Sequence, residues 1–447
     1  MKGLQYDSIY KYDVEVQCNG PLRVGSAIGG KEEVLVHPVD GMPFIQASSI
    51  AGVFRNYCTE NEMDSDKIFG SAKNDDSESG SRIKFSDGIF KSEVKIELRP
   101  HVKINKLTGS VSSAEVSGTS KQSGQKFDLE YIGAGSKFGF KVYLYDNSSD
   151  ACVDDVEQIF AALNSELIVF GGKKSNGAGK VKLLSIKRTA YDLRNPEDMS
   201  AWLSDSKESQ EYLSSLQNVE NKSVSYFVTV KGRTEGAIQV KGIASSTFGK
   251  DAPDSENMRN ALGEYIVPGS SFKGTIRSRM EQIAEYMNNE SVITDSFGCV
   301  GKGEKDGHAG NISFTDSVIG DIESNEEMDL NHRIHIDKFT GGVFHAGLFS
   351  EKNAAGEITF RINIKNKNNP EKTLGLLMLA LRDMSLGLVS VGNGFSTGKG
   401  IILVNSIEVK ENINDKVAVI TFADDKGNID DESGIIEAAL TKLKGDL

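Results

Sequence analysis

Ala47-Ser-Ser-Ile-Ala-Gly-Val-Phe-Arg55 is matched in the second half of the chain by Gly269-Ser-Ser-Phe-Lys-Gly-Thr-Ile-Arg277. Each stretch follows a short apolar segment, Pro43-Phe-Ile45 or Tyr265-Ile-Val267. Serine is a preferred N-cap, so each stretch predicts a short loop, a serine N-cap and a helix. The pair indicates that one module occurs twice in this chain.

Other segments recur in the same order along both halves. The pairs are Phe69-Gly70 with Phe297-Gly298, Arg82-Ile-Lys-Phe-Ser-Asp87 with Asn311-Ile-Ser-Phe-Thr-Asp316, His101-Val-Lys-Ile-Asn-Lys-Leu-Thr-Gly109 with Arg333-Ile-His-Ile-Asp-Lys-Phe-Thr-Gly341, Phe138-Gly-Phe-Lys-Val-Tyr-Leu144 with Ile358-Thr-Phe-Arg-Ile-Asn-Ile364, and Gly171-Gly-Lys-Lys-Ser-Asn-Gly-Ala-Gly-Lys180 with Gly392-Asn-Gly-Phe-Ser-Thr-Gly-Lys-Gly400. Apolar stretches with helical character, at 156–163 and 374–386, precede the two glycine-rich loops. So many features in one order are hard to produce by chance.

Each half is predicted to have the element order βαββαβ, starting with strands at 12–18 and 226–231. This order is that of the ferredoxin-like fold, which RNA-recognition modules also use. The predicted fold class is therefore α+β, with two tandem ferredoxin-like modules. We place the first module at 1–187, a connector with a helix over 201–216 at 188–225, and the second module at 226–447.

The charge of the chain has the opposite sign to that of most free nucleic-acid binders. The 447 residues include 51 Lys and Arg against 64 Asp and Glu, a formal net charge of −13. Acidic residues concentrate at 60–78, 150–157, 316–327 and 424–432. We expect these runs to be solvated outer faces or contacts to other subunits, because local charge rather than net charge decides binding in a groove.

Cysteine usage and hydropathy favour a cytoplasmic protein. The chain lacks a CxxC pair, which is typical of a reduced compartment; its cysteines are Cys18, Cys58, Cys152 and Cys299. No run of about 18 apolar residues occurs, so we expect no membrane span. The N-terminal residues lack the apolar core of a signal peptide.

Three motifs resemble those of the RAMP superfamily, whose members build CRISPR ribonucleoprotein complexes. Pro268-Gly-Ser-Ser-Phe-Lys-Gly274 with Arg277 resembles the motif PGSSLKGxxR. The stretch 333–341 resembles the RxxIDRxTG thumb hairpin of type III backbone subunits, and the glycine-rich loops resemble the late GGxxSxGxGK loop. In the first half Gln46-Ala47 replaces Pro-Gly and Ala51 replaces Lys. Two modules on one chain resemble the tandem backbone subunit of subtype III-D.

The resemblance implies a subunit of a filament on a CRISPR guide RNA. Its partners would be the guide RNA, the target RNA, other RAMP subunits and the large subunit of a type III complex, without a membrane. Each thumb hairpin would wedge between guide and target and splay one base pair. In active members an aspartate between the first strand and the first helix promotes cleavage of the target, with a divalent cation, which we expect to be Mg²⁺, and no organic cofactor.

Residues at the helix starts, glycine-rich loops and thumbs are the candidates for RNA contact. Helix N-termini attract anions, and neighbouring cations strengthen that attraction. The candidates are Ser48, Ser49, Arg55, Lys103, Lys106, Lys173, Lys174, Ser270, Ser271, Lys273, Arg277, Arg333, His335, Lys338 and Lys399. The thumbs place basic groups on one side of a strand pair, namely Arg99, Lys103 and Lys106 in the first and Arg333, His335 and Lys338 in the second. Arg279 is a further basic candidate near the start of the second helix.

The tips of the thumbs carry Leu107 and Phe339, which are candidates for the wedge. Each of these features also has a purely structural interpretation. The helix starts could be ordinary capped helices, the glycine-rich loops plain ends of strands, and the thumbs hairpins packed on their own domains.

The catalytic carboxylate is predicted in the loop 242–263, where Asp254 and Asp251 precede the helix motif. The corresponding loop of the first half contains Glu32 and Glu33 but no aspartate before Asp40. Either Glu32 substitutes for the aspartate in that module, or the module is a scaffold only. Any of these acids could also be a solvated loop charge. A carboxylate that positions the ribose 2′-OH and assists proton transfer would suffice for cleavage.

Cys299 and His308 make at most half a zinc site, which His332 and His335 are candidates to complete; we predict no protein metal site. Three functions stay open on the sequence. They are an RNA-guided endoribonuclease subunit, a non-catalytic scaffold of the same complex, and a stand-alone protein that binds a small anion.

Overall fold

The structure is a computed structural model of the chain. It describes residues 6–25, 33–71, 80–102, 104, 113–115, 122–124, 126–217, 222–242, 253–301, 307–320, 330–423 and 426–445.

The strands of the first repeat begin near the N-terminus. They are β1 (Ser8–Cys18), β2 (Phe44–Ile45), β3 (Ile83–Phe85), β4 (Gly88–Phe90), β5 (Ile96–Val102), β6 (Ser113–Glu115), β7 (Gln122–Gly124), β8 (Lys126–Ile132), β9 (Lys137–Asp146), β10 (Val181–Asp192) and β11 (Gln210–Glu211). The helices are α1 (Ala47–Glu60), α2 (Ser65–Phe69), α3 (Val153–Asn164) and α4 (Pro196–Ser204).

The second repeat follows the same plan and continues beyond it. Its strands are β12 (Val224–Glu235), β13 (Ser255–Glu256), β14 (Ile266–Val267), β15 (Gly298–Cys299), β16 (His308–Ala309), β17 (Ile312–Phe314), β18 (Ser317–Gly320), β19 (Leu330–Ile336), β20 (Val343–Lys352), β21 (Glu357–Lys365), β22 (Ile401–Glu411), β23 (Val417–Ala423) and β24 (Lys426–Asp430). Its helices are α5 (Gly269–Tyr286), α6 (Ser291–Phe297), α7 (Pro370–Ser385) and α8 (Ile435–Lys444).

Both main sheets have the ferredoxin-like arrangement. In the first, β1 lies between β10 and β9, and β9 also pairs with β3 and β4. In the second, β12 lies between β22 and β21, and β21 also pairs with β17 and β18. All of these pairs are antiparallel. The predicted α+β fold class, with two tandem ferredoxin-like modules, is confirmed.

Each sheet buries one face against two helices. The period-2 alternation of β1 places Tyr12 in the first core, where its ring lies 4.8 Å from that of Phe160 on α3. In the second core Phe272 of α5 stacks on Phe360 of β21, with ring centroids 4.0 Å apart. Burial of these aromatic side chains together with the many aliphatic ones of each core stabilises the two sheets.

The C-terminal hairpin β23–β24 and helix α8 extend the second repeat beyond the predicted pattern. β23 adds to the sheet beside β22. α8 packs on α7, where a Cβ at Gly375 would lie 2.7 Å from the carbonyl oxygen of Ala439. Gly375 thus permits the close approach of these two helices.

The chain divides into two compact units. Unit 1 comprises Met1–Glu97, Glu130–Lys174 and Ala178–Ser223. Unit 2 comprises Leu98–Leu129, Ser175–Gly177 and Val224–Leu447. Unit 2 therefore includes two short segments whose sequences belong to the first repeat.

The helix of the predicted connector lies earlier than expected. It covers Pro196–Ser204, and the prediction of a helix over 201–216 is wrong for most of that range. The Asn195 side chain caps the helix ahead of Pro196, and Asp205 ends it in a left-handed conformation with φ 47°. Among the helices of the described residues, none is long and apolar enough to cross a membrane.

Candidate nucleic-acid interface

Aspartates, rather than serines, cap the two repeated helices. Asp87 Oδ1 accepts a hydrogen bond from the Ala47 backbone N–H at 2.7 Å, and Asp316 Oδ1 accepts one from Gly269 N–H at 2.8 Å. The N-cap residue itself, Gln46 or Pro268, makes no side-chain cap. The predicted serine N-cap is therefore wrong, although both aspartates end a repeated strand motif and could have been recognised there.

The basic residues of these helices already have protein partners. Lys273 Nζ donates to Ser175 Oγ at 2.7 Å. Arg277 pairs with Glu281 at 2.8 Å, and Arg55 pairs with Asp66 at 2.8 Å. Arg279, likewise, lies 2.7 Å from Asp383. The serines that precede them are exposed or half-buried: Ser48, Ser49, Ser270 and Ser271.

The second thumb is the antiparallel hairpin β19–β20. Its tip exposes Phe339, whose surface is 99% accessible, beside the exposed Lys338. His335 is exposed and stacks on Phe344, with ring centroids 4.6 Å apart. The Asp337 carboxylate holds the turn, and its hydrogen bonds from Phe339 N–H and Thr340 Oγ1 lower its pKa. Phe339 is thus free of its own domain.

Most of the first thumb's candidates, namely Lys103, Lys106 and Leu107, lie outside the described residues. Arg99, which the sequence grouped with the exposed basic side chains of this thumb, is 6% exposed. Its guanidinium lies 2.7 Å from the Asp316 carboxylate. The placement of Arg99 on an exposed basic face is therefore wrong, because its charge is paired inside unit 2.

The glycine-rich loop of the second repeat is tied to the second thumb. Lys399 is only 7% exposed, and its ammonium contacts Glu351 Oε2 and, at 3.1 Å, Asn353 Oδ1. Arg333 approaches the same Glu351 oxygen at 3.2 Å and donates to Thr397 Oγ1 at 2.9 Å. In the first repeat's loop, by contrast, Lys173 and Lys174 are exposed.

The candidate catalytic loop joins the second thumb at the same place. β13 pairs in parallel with β20, matching Ser255 with Glu351. Asp254 is exposed, and its Oδ2 accepts hydrogen bonds from Ser350 N–H at 2.7 Å and Ser350 Oγ at 3.3 Å. Asp251 lies outside the described residues. The acid loop, the thumb and the glycine-rich loop therefore meet at two consecutive residues of β20.

The described residues hold no ready-made metal centre. Among them, no group of three or more His, Cys, Asp or Glu side chains could hold a metal ion. Cys299 Sγ and His308 Nδ1 are 3.2 Å apart across the hairpin β15–β16, and His308 Nε2 contacts Thr294 O. One thiol and one imidazole are two ligands short of a structural zinc site.

Two ferredoxin-like modules in tandem, each with an aspartate-capped helix and a closing glycine-rich loop, define a repeated α+β protein. The family model described as the RAMP superfamily matches residues 15–182 and 243–402, one region in each repeat. The chain belongs to the RAMP superfamily.

No curated protein matches the chain. Among solved structures, a chain of "Cryo-EM structure of the Type III-B Cmr-beta bound to cognate target RNA" is similar, with 17% identity and a TM-score of 0.29. The similarity covers 40% of this chain and 61% of that chain.

Proposed function

We propose that this chain is a backbone subunit of a cytoplasmic type III CRISPR ribonucleoprotein. It binds the guide RNA, splays the duplex of guide and target with its thumb hairpins, and cleaves the target RNA at the second module. Membership of the RAMP superfamily supports the class, and the resemblance to type III backbone motifs, including the tandem form of subtype III-D, supports the assignment within it.

One observation carries the proposal of cleavage. In the second repeat, Asp254 is held by Ser350 on the same strand whose next residue, Glu351, holds Lys399 and Arg333. A target strand splayed by Phe339 would run along this hairpin, so a fixed carboxylate beside it can act on one phosphodiester. Positioning of this kind is a large part of catalysis.

The chemistry assigned to Asp254 is general-base assistance. The two bonds from Ser350 orient the carboxylate, and among the described residues Oδ1 has no hydrogen-bond partner. That oxygen can accept the proton of a ribose 2′-OH as its oxygen attacks the adjacent phosphate. The bond from phosphorus to the 5′-oxygen then breaks, and the leaving alkoxide takes up a proton from water.

The main test compares target-RNA cleavage by guide-loaded complexes with the wild-type chain, Asp254→Ala and Asp251→Ala/Asp254→Ala. Loss of a general base lowers the rate about 10²- to 10⁴-fold. We expect the double variant to lose one product band while it binds target RNA with unchanged affinity. An unchanged ladder would support the second candidate function, a scaffold subunit that only holds RNA.

Asp254→Asn separates chemistry from anchoring. The amide oxygen can still accept both hydrogen bonds from Ser350, but an amide is too weakly basic to take the proton of the ribose 2′-OH. If Asp254→Asn cleaves as slowly as Asp254→Ala, the carboxylate acts as a base. If it cleaves like the wild type, Asp254 only fixes its loop and another group is catalytic.

The wedge is tested by Phe339→Ala. Because Phe339 is 99% exposed, we expect the free energy of unfolding to change by less than about 0.5 kcal/mol. We also expect a target carrying 2-aminopurine at the splayed position to lose most of its fluorescence increase. Lys338→Ala is the matched control from the same tip, and it should weaken binding without restoring base stacking.

Divalent-cation dependence is a separate part of the proposal. The described residues form no three-ligand group, so we assign no step to a protein-held cation. If a cation, which we expect to be Mg²⁺, is required, EDTA should abolish cleavage and Mg²⁺ should restore it. Cleavage that persists in EDTA would show that the protein residues and the RNA suffice.

A further inference from the structure

Within unit 2, the tip of the first glycine-rich loop packs against the start of α5. A Cβ placed on Gly269 would lie 2.7 Å from the carbonyl oxygen of Asn176, and one placed on Gly177 would lie 2.7 Å from that of Phe314. Real Cβ atoms essentially never approach that closely, so both glycines are required by the contact. Lys273 adds a hydrogen bond to Ser175 Oγ at 2.7 Å.

A buried ion pair supports the same contact. Asp316, which caps Gly269, also pairs with Arg99 at 2.7 Å. The docked helix start thus presents a glycine at its first position, a lysine four residues later and an aspartate cap. The docked loop presents Ser175 and Gly177, and Arg99 pairs with the aspartate cap from a neighbouring segment.

The second repeat has the matching loop, but its tip is bare. Gly171 and Gly392 open the two loops with positive φ, and Gly179 and Gly400 close them at the same spacing. This alignment matches Ser175 with Ser396 and Gly177 with Gly398. Ser396 and Thr397 are exposed, Phe395 is 60% exposed, and a Cβ on Gly398 would meet nothing within 4 Å.

We propose that the loop Phe395–Thr397 with Gly398 docks on the helix start of a RAMP module in a different polypeptide. The occupant carries glycine at the first helical position, lysine four residues later and an aspartate cap. The chain itself provides the template, because the homologous loop makes this contact within unit 2. The inference rests on the proposed assembly with other RAMP subunits, and it identifies the surface and the residues that select the neighbour.

A second copy of this chain is a poor occupant. The exposed helix start that it offers, that of α1, has Ala47 in place of Gly269 and Ala51 in place of Lys273. The methyl group of Ala47 would meet the incoming loop carbonyl, and Ala51 cannot donate to Ser396. The clash with the Ala47 methyl group and the missing hydrogen-bond donor at Ala51 therefore prevent the chain from polymerising head to tail. The loop thus gains specificity because it rejects a wrong partner.

The test gives the start of α1 the glycine and the lysine that the start of α5 has. Sedimentation velocity on the RNA-free full-length chain, from about 1 to about 100 µM, compares the wild type with Ala47→Gly/Ala51→Lys. We expect the wild type to stay monomeric and the variant to self-associate at least about tenfold more tightly. Adding Ser396→Arg, which blocks the loop tip, should return the variant to monomer.

Two results would overturn the proposal. One is a folded Ala47→Gly/Ala51→Lys variant, verified by the fluorescence of Trp202, that associates no better than the wild type. The other is a wild-type chain that already associates through this loop, so that Ser396→Arg dissociates it. Ala51→Lys alone keeps the methyl group of Ala47 and should therefore leave the chain monomeric. Because RNA is absent, failure here is distinct from failure of RNA binding or cleavage.

Discussion

The residue that follows the loop tip is buried in both repeats but is apolar in one and charged in the other. Ala178 occupies the position in the first repeat and Lys399 in the second. The isolated bridges Leu22–Ile132 and Ile238–Ala354 lie at equivalent places in the two repeats. The residues three positions before Ile132 and Ala354 therefore correspond, which aligns Leu129 with Glu351, and both are buried. The fold at this place requires burial rather than charge. The ionic pair is an addition of the second repeat, where it ties the loop to the thumb.

The largest effect expected from this comparison is that of Lys399→Ala. It leaves Glu351 buried with Arg333 as its remaining ion-pair partner among the described residues, so we expect the free energy of unfolding of unit 2 to fall by about 3 kcal/mol. Lys399→Ala/Glu351→Leu copies the first repeat and should regain most of that loss, because apolar replacement of a buried pair is often neutral. Urea unfolding followed by hydrogen exchange of unit 2 peptides measures both variants.

Either of two outcomes would break the comparison. Lys399→Ala could leave the stability unchanged, which would mean that Arg333 alone satisfies Glu351. The double variant could be no more stable than the single one, which would mean that the pair is required by packing particular to the second repeat.

The next largest effect on the free energy of unfolding is expected from substitution of the two aspartates that cap the repeated helices. Asp316→Ala removes the cap of Gly269 and also the carboxylate that pairs with Arg99, so we expect the free energy of unfolding to fall by roughly 2–3 kcal/mol. Asp87→Ala removes an exposed cap of Ala47 and should cost about 1 kcal/mol. Chemical denaturation measures both, with Trp202, the single tryptophan, as the fluorescent reporter of unit 1.

Equal costs for the two substitutions would contradict this account. They would indicate that Arg99 contributes nothing through Asp316. Arg99→Ala is then the deciding variant, because it removes the ion pair and keeps the cap of Gly269.

The smallest expected effect is on the pH dependence of stability, because the cysteine thiols of the two repeats differ in burial. Cys18, Cys58 and Cys152 are buried in the first repeat, where burial raises the pKa of each thiol to about 12, whereas Cys299 in the second is exposed. A thiol that stays protonated when folded but ionises near its ordinary pKa of 9 when unfolded destabilises the fold as pH rises from about 9 towards 12. Below that window the thiols have no effect on the pH dependence.

At pH 10 we expect a loss on the order of 1 kcal/mol from Cys18. Unit 1 should therefore lose more stability than unit 2 between pH 8 and pH 10, as measured by Trp202 fluorescence and by hydrogen exchange. Cys18→Ala should flatten the slope of unit 1, and Cys299→Ala, which removes an exposed thiol of unit 2, is the matched control. Equal slopes for the two units would contradict the role of the buried thiols.

Much of the fold was predictable because strand and helix periods are local properties. The predicted strands at 12–18 and 226–231 lie inside β1 and β12, and the helical stretch at 156–163 lies inside α3. The connector helix was misplaced because Asn195 and Pro196, a cap and a helix-starting residue, outweigh the helical character of the residues after 204. The hairpin β23–β24 was missed because it has no counterpart in the first repeat.

The candidate site, like the fold, could be predicted from the sequence only in part. The repeat and the family resemblance indicated a thumb hairpin with Phe339 at its tip, and the structure exposes Phe339 there. The pairing of the acid loop with that hairpin was not indicated by the sequence. The burial of Lys399 and Arg99 could not be predicted, because a lysine after a glycine-rich loop and an arginine on a strand are usually solvated. Their partners, Glu351 and Asp316, lie far away in sequence, where no periodicity marks them.

The sequence by itself determined that this protein is a duplicated ferredoxin-like module of the RAMP superfamily. Strand and helix periods are local properties, and the order of the motifs is read directly along the chain. The tertiary structure decided which copy of each motif is covered. Within unit 2 it packs the tip of the first glycine-rich loop on α5 and leaves the tip of the second exposed, and it pairs Asp316 with Arg99 while Asp87 stays at the surface. The physical reason is that burial of a charge depends on contacts between distant segments, which two similar motifs do not share.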